Sequence, residues 1–212
     1  MFYTAQELAE LLIKTEHTYV DDWGQGRTLG YSPVEVSQLA RRIRHFEAER
    51  LIIAAPEKRD ARGTAQFDEI EACKVHLLSI FADFGFDKNL LSQVVRMVAP
   101  PASGVLSGGG KDEFYWDNPD EEAHHIKNLP DAIRRGEKWE LVLKWNSQFG
   151  RKSVSGGFFI PSDANYPAQN VAEAEAASQA MRQMQKIELY GRLTLPASDL
   201  CAPVVAAFGE GA

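Results

Sequence analysis

The sequence predicts an α+β protein, with a mostly α-helical N-terminal domain and a smaller C-terminal α+β domain whose strands form an antiparallel sheet. Two observations support this class. Apolar residues recur at helical spacing in several segments of the first 98 residues, whereas from residue 139 to 145 a period of two places Trp139, Leu141, Leu143 and Trp145 on one face. Residues 99–118, which include adjacent prolines and the run Gly108–Gly110, lie between the two patterns. The predicted domains are therefore 1–98 and 119–212, joined by a linker at 99–118.

Composition narrows the class of protein. The chain has 212 residues, 44% of them apolar, which is enough to bury a core without disulfide or metal staples. Cys73 and Cys201 are too few for a disulfide framework, so a reduced, cytoplasmic location is expected. No apolar run is long enough to cross a bilayer, so no membrane contact is expected. The net charge of -7 argues against wholesale coating of nucleic acid but is compatible with a local basic face.

The sequence contains no pattern typical of catalysis or metal binding. A nucleophile elbow, a P-loop and a metal-spaced cluster are all missing, so we expect no enzyme, no cofactor and no metal site. Cys73 and His76 lie one helical turn apart, but a single pair supplies too few metal ligands, and core packing is expected. His124 and His125 are expected to be ordinary surface or core residues.

Two capping boxes mark the starts of the first two helices. Thr4 and Glu7 flank the start of the first, and Ser32, Pro33 and Glu35 mark the start of the second. In a capping box, a side-chain oxygen and a carboxylate each accept from a backbone amide that the helix leaves unbonded.

Further signals place the elements around these helices. The polar, glycine-containing residues 14–31 predict a loop with a short hairpin. Asp68 is expected to cap a third helix that Gly85 ends, and Asp87 to start a fourth.

The second helix has one apolar and one polar face. Its inward stripe consists of Val36, Leu39, Ile43 and Phe46. The opposite face carries side chains that can donate hydrogen bonds: Ser37, Gln38, Arg41, Arg42, Arg44 and His45. Residues 41–62 hold seven basic and four acidic side chains, so this part of the chain is locally positive.

Two short strands are predicted after this helix, at Leu51–Ile53 and Gln66–Phe67. A basic loop that carries Lys58, Arg59 and Arg62 joins them. Such a helix and hairpin suit duplex DNA, because the helix fits the major groove, where Arg pairs with guanine and Gln with adenine, while the hairpin reaches phosphates. The N-terminal domain is therefore predicted to be a winged helix-turn-helix.

The order of residues also resembles the DNA-binding domain of the MerR family. The resemblance rests on the stretches FYTAQELAELL, IRHFEAERLI and RGTAQFDEIEACKVHLLSIFADFGFD, and it covers residues 2–98. It implies base contacts by Ser37, Gln38 and Arg41, backbone contacts by Arg44 and His45, and wing contacts by Arg59 and Arg62. Where the family has a glycine before its leucine-rich turn, this chain has Arg50.

These observations predict a sequence-specific, DNA-binding transcription regulator that uses a recognition helix and a basic wing. Arg42 on the helix and Lys58 on the wing are expected to join the other DNA contacts. One short helix reads few base pairs, so a homodimer on two half-sites of double-stranded DNA is expected, with RNA polymerase as a further expected contact. Two alternatives stay open: a phage-type or excisionase-like DNA-processing or architectural factor, and a protein-interaction adaptor. Phosphate contacts would make binding fall steeply with salt, which separates DNA binding from the adaptor.

The C-terminal domain is predicted to serve self-association or sensing. Strands are expected at 139–145, Val154–Ile160 and Ile187–Leu195, the first two as an antiparallel hairpin, together with a helix capped by Asn170 and Glu173. A hydrophobic core is the favoured role of its aromatic residues, with a dimer interface or ligand pocket as the alternative. These residues are Trp139, Trp145, Phe158 and Tyr190.

Overall fold

The computed structural model describes residues 2–16, 18–20, 26–28, 32–54, 64–99, 125–148, 151–161 and 187–209. Helices and antiparallel sheets are both present, which confirms the α+β class at this coarse level. The chain divides into two compact units, Met1–Leu91 with Ala197–Ala212, and Ser92–Pro196. This differs from the predicted domains 1–98 and 119–212, because the last helix belongs to the first unit. Beyond residue 99, the predicted linker lies outside the described residues.

The described part of Met1–Leu91 contains three complete helices: α1 (Ala5–Glu16), α2 (Pro33–Ala48) and α3 (Glu69–Asp83). A fourth helix, α4 (Lys88–Val98), starts in this unit and continues into the second.

Local hydrogen bonds explain where these helices start. The Thr4 amide donates to Glu7 Oε2 at 2.8 Å, and the Ser32 amide donates to Glu35 Oε2 at 2.6 Å. The return bonds to the two hydroxyls measure 3.3 and 3.2 Å, so both predicted capping boxes are confirmed. Asp68 caps α3 as predicted, with its carboxylate accepting from the Glu71 amide at 2.9 Å.

Short strands connect the helices of the first unit. The predicted hairpin between α1 and α2 is confirmed: β2 (Thr18–Val20) pairs antiparallel with β3 (Gly26–Thr28). The prediction of a strand at Leu51–Ile53 is wrong, because residues 51–54 form no strand. β4 (Gln66–Phe67) instead pairs with β1 (Tyr3–Thr4).

Backbone hydrogen bonding explains why no strand forms after α2. Leu51 donates its amide to Phe46 O at 2.9 Å in the turn that ends α2. The Ile53 amide donates to Glu71 Oε2 at 2.9 Å, so a carboxylate replaces the strand partner. The residues predicted as the wing loop, 55–63, lie outside the described part of the chain.

The core of the first unit surrounds α3. All residues from Glu71 to Ser79 are buried, so this helix has no solvent face over two turns. The final helix, α6 (Ala197–Gly209), contacts both α1 and α3. Its Phe208 ring meets Tyr3 edge-on with 4.8 Å between centroids. The C-terminal residues therefore complete a core that the first 91 residues begin.

The second unit contains a three-stranded antiparallel sheet. β5 (Glu140–Gln148) lies between β6 (Arg151–Phe159) and β7 (Ile187–Leu195), which confirms the predicted hairpin and third strand. A short helix, α5 (Leu129–Arg134), precedes the sheet and follows a single 3-10 turn. The capped helix predicted at Asn170 lies outside the described residues.

Close packing characterises the centre of this sheet. Leu141, Val142 and Leu143 are all buried, so β5 is covered on both faces rather than on one. Gly156 lies opposite Leu143 with φ 146, and a Cβ there would come within 1.9 Å of Val142 O. Trp139 and Phe158 are buried and their ring centroids lie 5.8 Å apart, as the core prediction requires.

Candidate nucleic-acid interface

The solvent-facing side of α2 is the candidate interface. We call its five exposed polar residues the α2 polar stripe: Ser37, Gln38, Arg41, Arg44 and His45. They lie opposite Val36, Ala40, Ile43 and Phe46, which are buried. The predicted two-faced character of this helix is confirmed, with Ala40 taking the inward place that was expected of the half-buried Leu39.

The α2 helix is compatible in size with a DNA groove. An α-helix with its side chains is about 10–12 Å across, and the major groove of B-form DNA is about 12 Å wide. From Ser37 to His45 the helix rises by about 12 Å at 1.5 Å per residue, a distance of about three to four base-pair steps of about 3.4 Å.

Electrostatics also leave the stripe positive. Within the described residues, neither Arg41 nor Arg44 forms an ion pair. Two nearby carboxylates have other partners: Glu35 accepts from the Ser32 amide, and Glu49 pairs with Lys88. The hydrogen bond from Lys88 lowers the pKa of Glu49, and the charge of His45 in the stripe lowers it further, so Glu49 interacts with one end of the stripe.

Arg42, which the sequence analysis placed among the DNA contacts, has intramolecular partners. Its Nη2 lies 2.8 Å from Asp83 Oδ1, and its Nη1 lies 3.4 Å from Ser79 O at the end of α3. The side chain is 37% exposed. Arg42 therefore links α2 to α3. Because its guanidinium group is engaged in these contacts, we do not include it in the α2 polar stripe.

The predicted wing contacts cannot be located in the same way, because Lys58, Arg59 and Arg62 lie outside the described residues. The chain entering that segment is held by the Glu71 carboxylate at Ile53. The chain leaving it is held by the pairing of β4 with β1. Both attachments lie beside the N-terminal end of α3.

One exposed residue of α2 was missed by the sequence analysis. Val34 is 61% exposed and stands in the first turn of the helix. Helical spacing carried the signal, because Val34 lies two positions before Val36 and therefore off the apolar stripe. Its distance of three and four positions from Ser37 and Gln38 places it on the same face as the stripe.

Outside α2, the cysteines and histidines that the structure describes are buried or hydrogen-bonded. Cys73 is fully buried and His76 is 6% exposed, as core packing predicts, and burial lowers the pKa of the His76 imidazole. His125 Nδ1 accepts from the Lys127 amide at 2.9 Å, and His124 lies outside the described residues. Among the residues described, no three potential ligands gather into a metal site.

Comparisons with known proteins do not assign the chain to a family. It matches no family model, and no curated protein shows significant sequence similarity to it. In the described part of the chain, no helix combines the length and apolarity that a membrane crossing requires. The chemistry of the site is therefore the basis for assigning a function.

Proposed function

We propose that the protein is a sequence-specific, DNA-binding transcription regulator whose α2 helix enters the major groove. One observation carries the proposal: the α2 polar stripe is exposed, and its arginines form no ion pair within the described residues. A merely solvated helix face would gain from neutralising such charges with neighbouring carboxylates, whereas a DNA-binding face needs them available.

Each member of the stripe has a chemical counterpart on DNA. Arg41 offers two parallel donors to guanine O6 and N7, and Gln38 can accept from adenine N6 and donate to adenine N7. The Ser37 hydroxyl donates to Pro33 O at 2.8 Å, and its oxygen can still accept a hydrogen bond. Arg44 and His45, nearer the end of the helix, suit phosphates.

The proposal extends to the assembly. A helix of this length reads few base pairs, so we propose a homodimer on two half-sites, with the basic wing segment contacting phosphates on either side. The MerR-like order of residues supports this arrangement, and contact with RNA polymerase and a cytoplasmic location follow from it as further proposals.

Selection of bound duplexes from a random DNA pool tests the proposal directly. Wild-type protein is expected to enrich a defined half-site. Arg41→Ala should cost about 1–3 kcal/mol on that sequence and flatten the preference at one base pair. Arg134→Ala is the matched control, since Arg134 is exposed in the other unit and pairs with Asp131. Unchanged affinity and preference in Arg41→Ala would contradict the assignment of α2.

The wing segment is expected to act differently from the stripe. Arg59→Ala should weaken binding to all sequences alike and reduce the slope of log affinity against log salt by about one, because it removes one phosphate contact. Titrations at several salt concentrations measure this slope. A change in base preference would show that Arg59 reads sequence.

Mapping of the bound sites in the genome, together with transcript levels and the salt titration, separates the alternatives. Sites at promoters with altered transcript levels support the regulator, whereas sites confined to attachment or packaging sequences favour a DNA-processing factor. Binding that does not depend on salt, or no DNA binding at all, favours the protein-interaction adaptor.

A further inference from the structure

An aliphatic side chain stands on the polar face of α2. Val34 is 61% exposed, although a β-branched residue gains nothing in a helix unless it packs. Among the described residues, two other large hydrophobic side chains are similarly exposed: Ile53 at 66% and Phe84 at 61%. Ile53 and Phe84 both lie after the end of a helix. Of the three exposed hydrophobic residues, Val34 is the one that lies within a helix.

Val34 lies on the same face of α2 as three members of the α2 polar stripe. It precedes Ser37, Gln38 and Arg41 by three, four and seven positions, so the four side chains follow one another along one face. The N-terminal residues of a recognition helix are those that contact base edges. Val34 therefore occupies the end of the helix that is closest to the bases.

We infer that Val34 reads a thymine by packing against its C5-methyl group. The inference rests on the proposed function and specifies part of the recognised sequence. In the major groove, thymine is the standard base that presents a methyl group, while the other base edges present donors and acceptors. An aliphatic side chain packs favourably against that methyl group. Opposite any other base, the same side chain would leave a donor or acceptor of the base edge without a hydrogen bond.

The geometry of the helix also predicts where the thymine lies. Val34 and Arg41 are separated by about 10 Å along the helix axis, at 1.5 Å per residue. Successive base pairs are about 3.4 Å apart. The thymine is therefore expected within about three base pairs of the base that Arg41 reads.

A chemical change to the DNA tests this without altering the protein. In the selected duplex, each thymine is replaced in turn by deoxyuridine, which lacks only the methyl group. Wild-type protein should bind about four-fold more weakly when one particular thymine is replaced, as expected for loss of one buried methyl. Val34→Ala should bind the thymine duplex with a similar loss and should not distinguish it from the deoxyuridine duplex.

The controls separate this inference from the proposed function. Ile53→Ala and Phe84→Ala alter equally exposed side chains and should keep the wild-type ratio of thymine to deoxyuridine affinity. A selected half-site without a methyl-dependent thymine, or a Val34→Ala variant that keeps the wild-type ratio, overturns the inference while Arg41-dependent DNA binding stands. Absence of DNA binding by the wild-type protein overturns both.

Discussion

Arg50 adopts a backbone conformation that glycine ordinarily supplies. Its φ of 58° is in the left-handed region, and no other non-glycine residue of the described chain has a positive φ. The Arg50 amide donates to Glu47 O and the Leu51 amide to Phe46 O, each at 2.9 Å. The same pair of hydrogen bonds ends α3 at Gly85, so Arg50 is held there by the turn despite its side chain.

Arg50→Gly is therefore expected to stabilise the protein. Relief of the left-handed conformation gains about 1–2 kcal/mol, and the greater freedom of glycine in the unfolded chain offsets part of it. A net increase of about 0.5–1 kcal/mol in the free energy of unfolding should appear in urea denaturation. Arg50→Ala controls for loss of charge, since alanine keeps the strain. Equal stability of the two variants would argue against strain at this position.

Glu71 and Lys74 form a buried ion pair within α3, and Glu71 also connects α3 to the residues that follow α2. Their side chains are 11% and 7% exposed, and Lys74 Nζ lies 2.6 Å from Glu71 Oε1. The other carboxylate oxygen accepts from the Ile53 amide. Removing one partner of a buried ion pair lowers stability strongly, because the remaining charge is buried without a counter-charge or water. Replacing both partners together changes stability little.

Variants of this pair should separate the effect of the buried charge from the effect of the hydrogen bond that Glu71 accepts from the Ile53 amide. Glu71→Leu is expected to lower the free energy of unfolding by about 3–5 kcal/mol, and adding Lys74→Met should recover most of that loss. The Ile53 amide should exchange faster in Glu71→Leu/Lys74→Met than in Glu71→Gln/Lys74→Met, because the glutamine amide oxygen still accepts its hydrogen bond. Denaturation and hydrogen exchange measure the two effects. Equal Ile53 protection in both double variants would refute the anchoring role.

Helix starts and the polar face of α2 could be predicted because they depend on residues a few positions apart. The capping boxes at Thr4 and Ser32 are examples. Which helices and strands contact one another could not be predicted, because those contacts join distant parts of the chain. The pairing of β4 with β1 and the contact of Arg42 with Asp83 belong to this second kind.

At the scale of the whole molecule, the chain returns to its first unit after completing its second. Residues 1–98, which the sequence predicts as a domain, leave α1 and α3 without the cover of α6. Cys201, Val204 and Phe208 of α6 are all buried. A composition break at residue 99 cannot reveal this, because the missing core residues lie about a hundred positions further along the chain.

Phe208→Ala should therefore destabilise the N-terminal residues, although it lies near the other end of the chain. Removing a buried aromatic ring costs about 3–5 kcal/mol, and here the loss includes the contact with Tyr3. Hydrogen exchange should show reduced protection of the α1 and α3 amides. Ala206→Ser alters an exposed residue of the same helix and is expected to change stability by less than about 0.5 kcal/mol. Wild-type protection of α1 and α3 in Phe208→Ala would mean that the first 91 residues hold their core without α6.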